Sequence, residues 1–564
     1  MSLFAATFAG TSVRKGVHPF VVLLLASLWL ATVCNIPLWM ALAKLPELSN
    51  PRGLLFGLTF GLMIAAANLA LLSLFAWRWT LKLVLTVFFL AAATGSHFMW
   101  SYGVVIDPTM MVNVLHTDLR ESRDLLSWRM AASIALLGLL PTWWLWRTPL
   151  QTTGWLRTLG RNTALFVGAL FLLVAVLALS YRDMSSVMRN HTEMRYRINP
   201  LNSFWALGSV ATAPLRRDNS TLLAIGLDAH LPAASATARP PMLVLVVGET
   251  ARSANFGLNG YARNTTPKLA QQNVVSWRNA WSCGTNTATS VPCMFSHLGR
   301  EAYADRNANY ENLLDVLQRA GLAVLWVDNQ SGCKGVCDRV PQVNTAKLSV
   351  AGLCDSGECH DMVMLEQLDQ RIAQLPAQQR ARGVVVVMHQ MGSHGPAYYK
   401  RTPATFKPFL PECASNALQE CSRETLVNAY DNTIAYTDHF LASTINWLQS
   451  RSKDAATALM YVSDHGESLG ESNLYLHGLP WQIAPDVQKH IPWITWLSPQ
   501  WQTAFGVHTD CLRGHADQAL SHDHYFHSVL GMLKVQSKIY RNDLDIFTPC
   551  QQAVGNNPQY EGLK

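Results

Sequence analysis

Along the first third of the chain, apolar residues come in long unbroken runs rather than in the short period of a surface helix or strand. Residues 20–43, 53–77, 83–106, 130–146 and 162–181 contain no Asp, Glu, Lys or Arg. Each run is close to the ~20 residues needed to cross a bilayer core, with 130–146 the shortest. A buried core helix rarely stays uncharged for so long. The pattern therefore predicts five spanning helices, at about 20–43, 53–77, 83–106, 128–147 and 160–181. Basic residues beside the runs set their orientation. Arg14 and Lys15 precede the first, Arg78 and Lys82 lie between the second and third, and Arg147, Arg157 and Arg161 lie between the fourth and fifth. By the positive-inside rule these three segments are cytoplasmic. The loop 107–129, with Asp107, Asp118, Glu121 and Asp124 among its arginines, falls on the other side, as does everything after about residue 182. No small-residue cleavage site follows the first run, so it reads as an anchor.

Beyond the last run the pattern changes. Residues 182–220 mix Arg182, Arg189, Arg195 and Arg197 with Met184, Val187, Met188, Met194, Phe204 and Trp205, a composition that suits either a membrane-surface segment or an exposed connector. LPAASATARPP (231–241) has the content of a linker. We expect a transmembrane domain over 1–181, a bridging segment and linker over 182–240, and an exported domain over 241–564. In that last part, apolar β-rich runs alternate with helical patterns: MLVLVVGET (242–250), LAVLWVDNQ (322–330), GVVVVMHQMGSHG (383–395) and ALMYVSDHGE (458–467). Continuous hydrophobicity fits central strands of a mostly parallel sheet covered by helices on both faces. Each run ends in polar or metal-capable residues: Glu249, Asp328, His389 with His394, and Asp464 with His465. Ligands of open α/β sheets gather at the carboxyl ends of strands, so four such ends predict one composite site.

Composition sharpens the compartment. The chain is 49% hydrophobic and only 14% charged, and its net charge of +7 is spread out, which gives no case for nucleic acid. Cys34 stands alone in the first run. The other ten cysteines follow residue 280, as neighbours 283/293, 333/337, 354/359 and 413/421, with Cys511 and Cys550 besides. Clustered cysteines outside a membrane suggest disulfides in an oxidising compartment. Zinc-thiolate sites are the rival reading, but no CxxC pair occurs.

Glu249, Asp464, His465 and one hydroxyl would form an oxygen-rich site with one nitrogen, which suits zinc better than calcium or copper. His389, His394 and His477 form a second group that could bind another metal, hold a phosphate or be structural. The hydroxyl would come from SCGTNTATSVPCMF (282–295), where two cysteines bracket Thr285, Thr287, Thr289 and Ser290 ahead of a helix start. A hydroxyl there meets free backbone N–H groups and the positive end of the dipole, which favour an alkoxide or a phosphoryl group. A capped structural loop explains the residues equally well. A sulfatase reading needs an arginine where SVPCM has Met294, and is weakened accordingly.

VVGETARSANFGLNGYARNTTP (246–267), SCGTNTATSVPCMFS (282–296), DNQSGCKGVCD (328–338), GSHGPAYY (392–399) and SDHGESLGE (463–471) closely resemble the lipid A phosphoethanolamine transferases, including the mobile colistin-resistance type. The resemblance covers essentially the whole chain. It implies five membrane helices followed by an α/β/α alkaline-phosphatase/sulfatase-like domain with a mostly parallel central sheet. It implies Thr287, not Thr285, as nucleophile, and Glu249, Thr287, Asp464 and His465 as ligands of one zinc. It further implies that His389, His394, His477 and Lys334 bind substrate phosphate or a second zinc during turnover. Taken with the resemblance, the exported cysteines form five bridges: Cys283–Cys293, Cys333–Cys337, Cys354–Cys359, Cys413–Cys421 and, as the remaining pair, Cys511–Cys550. The implied reaction moves phosphoethanolamine from phosphatidylethanolamine to a lipid A phosphate through a phosphothreonine. It takes place on the periplasmic side of a Gram-negative inner membrane, by a multi-pass protein expected to act as a monomer, and confers polymyxin resistance.

Asn113, Thr117 and Glu121 in MVNVLHTDLRESRDLL (111–126) are spaced i, i+4, i+8, as on one helix face. Alone they suggest a solvated face; the resemblance implies that they hold the lipid head group. Competing functions are transfer of phosphoethanolamine or phosphoglycerol to another envelope glycan, and a non-catalytic envelope sensor built on a dead phosphatase-like domain. The complete Glu249/Thr287/Asp464/His465 set argues against the sensor.

Overall fold

The computed structural model describes residues 16–45, 48–117, 119–216, 218–233, 239–355 and 358–551. Arg14, Lys15, Asp118 and part of the expected linker (234–238) lie outside these. The chain forms two compact units, Met1–Ser101 with Leu126–Ala206, and Tyr102–Leu125 with Leu207–Lys564. These bounds differ from the expected domain limits, because residues 102–125 pack with the second unit and 182–206 with the first.

The first unit is helical. Among the described residues four helices are long and apolar enough to cross a membrane: Pro19–Ala43, Gly53–Ser73, Leu81–Tyr102 and Trp155–Asn190. The predicted run at 128–147 is helical too, but its middle turn, Ile134–Leu139, is a π-helix between Trp128–Ser133 and Leu140–Arg147. Pro141 accounts for the wide turn, since it has no N–H to donate and its ring crowds the carbonyl four residues back. The helix predicted to end near 181 continues to Asn190 over 36 residues, so the start of the expected bridging segment extends a helix. The first helix breaks into a short 3₁₀ turn at Val33–Asn35. The break frees the Leu30 and Cys34 carbonyls, which a buried amide pair takes up: Asn35 donates to Leu30 and to Asn199, while Asn199 donates to Cys34 and to Ala92.

The second unit is built on eight strands: β1 (Pro241–Gly248), β2 (Val274–Trp281), β3 (Ala323–Asp328), β4 (Gln342–Asn344), β5 (Val384–His389), β6 (Ala456–Ser463), β7 (His490–Leu497) and β8 (Leu520–Ser521). They lie in the order β8-β2-β7-β6-β1-β5-β3-β4. All neighbours are parallel except β6 with β7 and β7 with β2. The sheet is thus mixed and mostly parallel. Its central strands β6, β1, β5 and β3 are buried along both faces, as their unbroken Val, Leu and Ala content demands. Their carboxyl ends are level: Ser463 pairs with Gly248, Val247 with His389, and His389 with Asp328. The register brings the four polar strand ends of the sequence pattern side by side.

Three helices of this unit matter for the site: α1 (Pro108–His116), α2 (Leu119–Leu125) and α3 (Thr287–Met294). Cys283–Cys293 brackets α3, and the pairs Cys333–Cys337, Cys354–Cys359, Cys413–Cys421 and Cys511–Cys550 are also bonded, while Cys34 is free and buried.

Candidate active site

Thr287 opens α3. Asn286 caps the helix, its side chain accepting from the Thr289 N–H, and this fixes the first turn against the strand ends. The Thr287 hydroxyl lies 3.1 Å from both Glu249 carboxylate oxygens, to which it donates, and 3.4 Å from His465 Nε2. Thr285 faces elsewhere, donating to the Leu479 carbonyl at 2.6 Å. Two positions in sequence therefore separate a hydroxyl in the site from one bonded to a loop.

Around Thr287 the groups are acceptors. Asp464 spends Oδ1 on the N–H groups of Thr250 and His465, but its buried Oδ2 has no hydrogen-bond donor. His465 Nδ1 lies 2.9 Å from the Gly466 carbonyl, so that nitrogen carries the proton. Its Nε2 then turns a lone pair toward Asp464 Oδ2 at 3.3 Å and Glu249 Oε1 at 3.5 Å. Burial, and after it the charges of Asp464 and Glu121, push the Glu249 carboxyl well above the usual range. Burial likewise lowers His465, and lowers His477 to about 4, leaving both imidazoles neutral and able to ligate. Glu249, His465 and His477 each offer one ligand atom within 4.8 Å of the others. Two fully buried carboxylates, a bare imidazole nitrogen and a hydroxyl converge, and among the described residues no Lys or Arg pairs directly with either carboxylate. The donor set fits a bound divalent metal.

The second predicted group divides. The His477 ring lies 4.3 Å from that of His465, so His477 belongs with the Glu249 cluster. It is followed by Gly478, whose φ of +88° favours glycine and which lies against the Met110 side chain. His394 lies 5.7 Å from His477, ring to ring, and its imidazole is pushed well below the usual range, first by burial and then by His477 and Arg401. His389 stays at its strand end, 3.7 Å from Asp328 and edge-on to Trp326. Lys334 donates to the Ser331 hydroxyl at 2.8 Å, and its charge acts on both Glu249 and His394.

The predicted single helix through Asn113, Thr117 and Glu121 is not formed. Asn113 lies in α1, Glu121 in α2, and Thr117 takes an extended conformation between them, its hydroxyl donating to the Asn113 carbonyl. Thr117-Asp118 is cap-type sequence, which was the available signal for a break. The break does not remove Glu121 from the site: its carboxylate is 4.0 Å from His394 Nε2.

Two contributors lie inside the quoted motifs without having been assigned a role there. Gln330 donates to Glu249 Oε2 at 2.9 Å. Glu467, pushed up to about 8 by burial, lies 3.1 Å from His477 Nδ1 and accepts from the Tyr398 hydroxyl, fixing which ring nitrogen of His477 faces the cluster. Glu467 was within reach as the second acidic position in SDHGE.

A sulfatase family model matches residues 241–535, and a family model for phosphoethanolamine transferase EptA/EptB matches residues 64–215. Phosphoethanolamine transferase EptA of Escherichia coli K12 is 39% identical over 536 residues, covering 94% of this chain and 96% of the relative. Phosphatidylethanolamine transferase Mcr-1 of Escherichia coli is 36% identical, covering 86% and 91%. Among solved structures, the integral membrane lipooligosaccharide phosphoethanolamine transferase A of Neisseria meningitidis superposes with a TM-score of 0.89 at 33% identity, over 94% of this chain and 99% of that one. With a sulfatase-like sheet, an acceptor-lined strand-end site and relatives matched over nearly their whole length, this chain belongs to the phosphoethanolamine transferases of the EptA and Mcr type.

Proposed function

We propose that the protein transfers phosphoethanolamine from phosphatidylethanolamine to a phosphate of lipid A, with Thr287 as the nucleophile. The observation that carries this reading is the Thr287 hydroxyl on the first turn of α3, 3.1 Å from both oxygens of the buried Glu249. Glu249, Thr287, Asp464 and His465 would hold one zinc, with His394, His477, His389 and Lys334 available to the substrate phosphate or a second ion. When bound, zinc would supply the positive charge that keeps the Thr287 oxygen deprotonated and offsets charge on the phosphoryl oxygens.

The chain's own residues account for the rest. Thr287 Oγ first gives its proton to the acceptor cluster it already faces and then attacks the phosphorus of phosphatidylethanolamine. The bond to the diacylglycerol oxygen breaks, and diacylglycerol leaves with a proton. The N–H groups at the start of α3 and the Lys334 ammonium face the phosphoryl oxygens as charge builds there. Glu121 pairs with the ethanolamine ammonium, with Asn113 and Thr117 beside it. A lipid A phosphate oxygen then attacks the phosphothreonine, the Oγ–P bond breaks, and Thr287 is restored.

Relatives named for Kdo(2)-lipid A, 28% identical over 77% of this chain, and for lipooligosaccharide support a lipid A-bearing glycolipid as the acceptor class; the 7'' position in the first name is on a sugar, so the phosphate is our own assignment. Both substrates are lipids, which fits five crossings of an inner membrane, with 128–147 as the fourth, and a catalytic domain over 241–564 on the periplasmic side. Each added ammonium lowers the surface's attraction for cationic peptides, giving polymyxin resistance. Mass spectrometry of lipid A from cells with and without the protein tests the reading. A phosphoethanolamine adduct lost with Thr287→Ala upholds it; an adduct on another envelope glycan, with lipid A unmodified, overturns the acceptor assignment.

A further inference from the structure

Glu121 and His394 come from distant parts of the second unit, yet both must meet one small head group. What fixes their spacing is visible one turn away. Asp124 follows Glu121 by three residues in α2, so both carboxylates lie on one helix face. The buried Arg401 guanidinium uses its whole fork. Nη2 donates to Asp124 at 2.8 Å, Nε to the His394 carbonyl at 2.8 Å, and Nη1 to Glu358 at 2.6 Å. Lys400 donates to the other Asp124 oxygen at 2.5 Å, and the Asn416 amide takes the Asp124 carbonyl at 2.7 Å. Glu358 sits in the hairpin that Cys354–Cys359 closes. Two cations thus balance two carboxylates, with Arg401 and Asp124 nearly shut off from water and Lys400 and Glu358 reaching toward it.

We propose that Asp124 and Arg401 are positioning residues, forming a latch that sets the distance between Glu121 and His394 and thereby the binding of the zwitterionic donor lipid. Only a planar, multiply donating side chain can grip α2 and the His394 backbone at once; a lysine has the charge without the fork. Neither residue meets the reacting oxygen of Thr287. The latch acts through the head-group contacts, so it serves lipid recognition more than bond cleavage. This rests on the functional reading above, in which Glu121 meets an ammonium.

The test uses the full-length protein in detergent micelles. Diacylglycerol release is followed against the mole fraction of phosphatidylethanolamine, and hydrolysis of bis(p-nitrophenyl) phosphate is followed in the same preparations. Asp124→Asn and Arg401→Lys are each expected to raise the KM for phosphatidylethanolamine about tenfold while kcat changes less than about threefold. Hydrolysis of the soluble diester should change less than about twofold. An unchanged KM in both variants, or parallel loss of both activities, overturns the latch. Wild-type protein that releases no diacylglycerol overturns the functional reading and the latch with it. Hydrogen exchange on the wild type decides the matter even where a variant does not fold. Protection of the α2 amides by roughly 10³-fold supports docking through Asp124, and exchange at the rate of an unpacked helix refutes it.

Discussion

Thr285 and Thr287 offer a paired test, because alanine at each should produce opposite phenotypes. The Thr285 hydroxyl is buried and donates to the Leu479 carbonyl at 2.6 Å. Removing it leaves a buried acceptor without a donor, at a cost of about 1–3 kcal/mol. For a domain of this size that is a drop of roughly 2–6 °C in Tm. Activity should largely survive, since that hydroxyl faces away from Glu249. At Thr287 the hydroxyl donates into a carboxylate that is short of positive charge rather than short of donors, with Gln330 already bonded to it. Thr287→Ala should therefore shift Tm by no more than about 2 °C, while transfer falls at least about 10³-fold through loss of the nucleophile. Thermal unfolding in detergent and diacylglycerol release from phosphatidylethanolamine measure both quantities on the same samples. The reasoning fails if Thr285→Ala abolishes transfer at unchanged Tm, or if a trapped phosphopeptide maps to Thr285.

The remaining predictions concern metal, crosslinks, pH and the lipid-side carboxylate. Chelation should lower Tm and abolish transfer, with both restored by zinc; a site saturated at ~1,000 times its Kd adds about 4 kcal/mol, and metal analysis of the purified protein finding no zinc would contradict the assignment. Replacing Cys511 and Cys550 by alanine should cost about 4 kcal/mol against about 2 for Cys333 and Cys337, because the loops closed differ in length; chemical denaturation giving the reverse order would refute the loop argument. Burial lifts the Asp438 carboxyl from 3.8 to about 6, so the folded chain holds that proton more tightly than the unfolded chain does. The stability this contributes is full below pH ~4 and lost as pH rises through ~6, up to ~3 kcal/mol in all. Asp438→Asn should flatten the fall in stability over that window, and an unchanged pH profile would show that the proton is not held. Glu121→Ala should reduce phosphatidylethanolamine turnover at least about tenfold, and normal turnover would reduce α2 to a connector.

How much of this was legible in sequence follows from which interactions are local. The strand ends could be read because a buried parallel strand must be apolar throughout, so the first polar residue after each run marks a carboxyl end. Glu249, Asp464, His465 and Asp328 all appear where that rule puts them. The choice of Thr287 over Thr285 came from motif resemblance; hydrophobic pattern alone left four hydroxyls, and only the N-cap at Asn286 sets their facing. The helix through Asn113, Thr117 and Glu121 failed because spacing counts positions without asking whether the backbone continues, and Thr117 leaves the helical region. Pro141 foreshadows the π turn at Ile134–Leu139, because a proline inside the run cannot complete its hydrogen-bond ladder. Gln330, Asp124 and Arg401 were out of reach for a different reason: their partners lie far off in the chain, and no periodicity encodes a pairing between residues 124 and 401.

The buried carboxylates separate a working site from an inert copy of the fold. Where this chain buries an acid for structure, it supplies donors in full. Asp315 takes both arms of Arg339. Asp431 receives Arg263, Tyr261 and Asn255. Asp361, with no cation, still receives the Asn329 amide and the N–H groups of Met391 and Gly392. At the ends of β1 and β6 the provision stops. Glu249 has a threonine hydroxyl and one amide, Asp464 leaves an oxygen without a donor, and His465 presents a lone pair to both. A buried carboxyl short of partners costs free energy whether it stays charged or takes up a proton, and a single arginine, or amides in place of the acids, would relieve an inert domain of it. Keeping the deficit beside a hydroxyl at a helix start gains nothing for the fold. It is the deficit that a bound divalent cation would offset, which is why the donor set at these strand ends fits one.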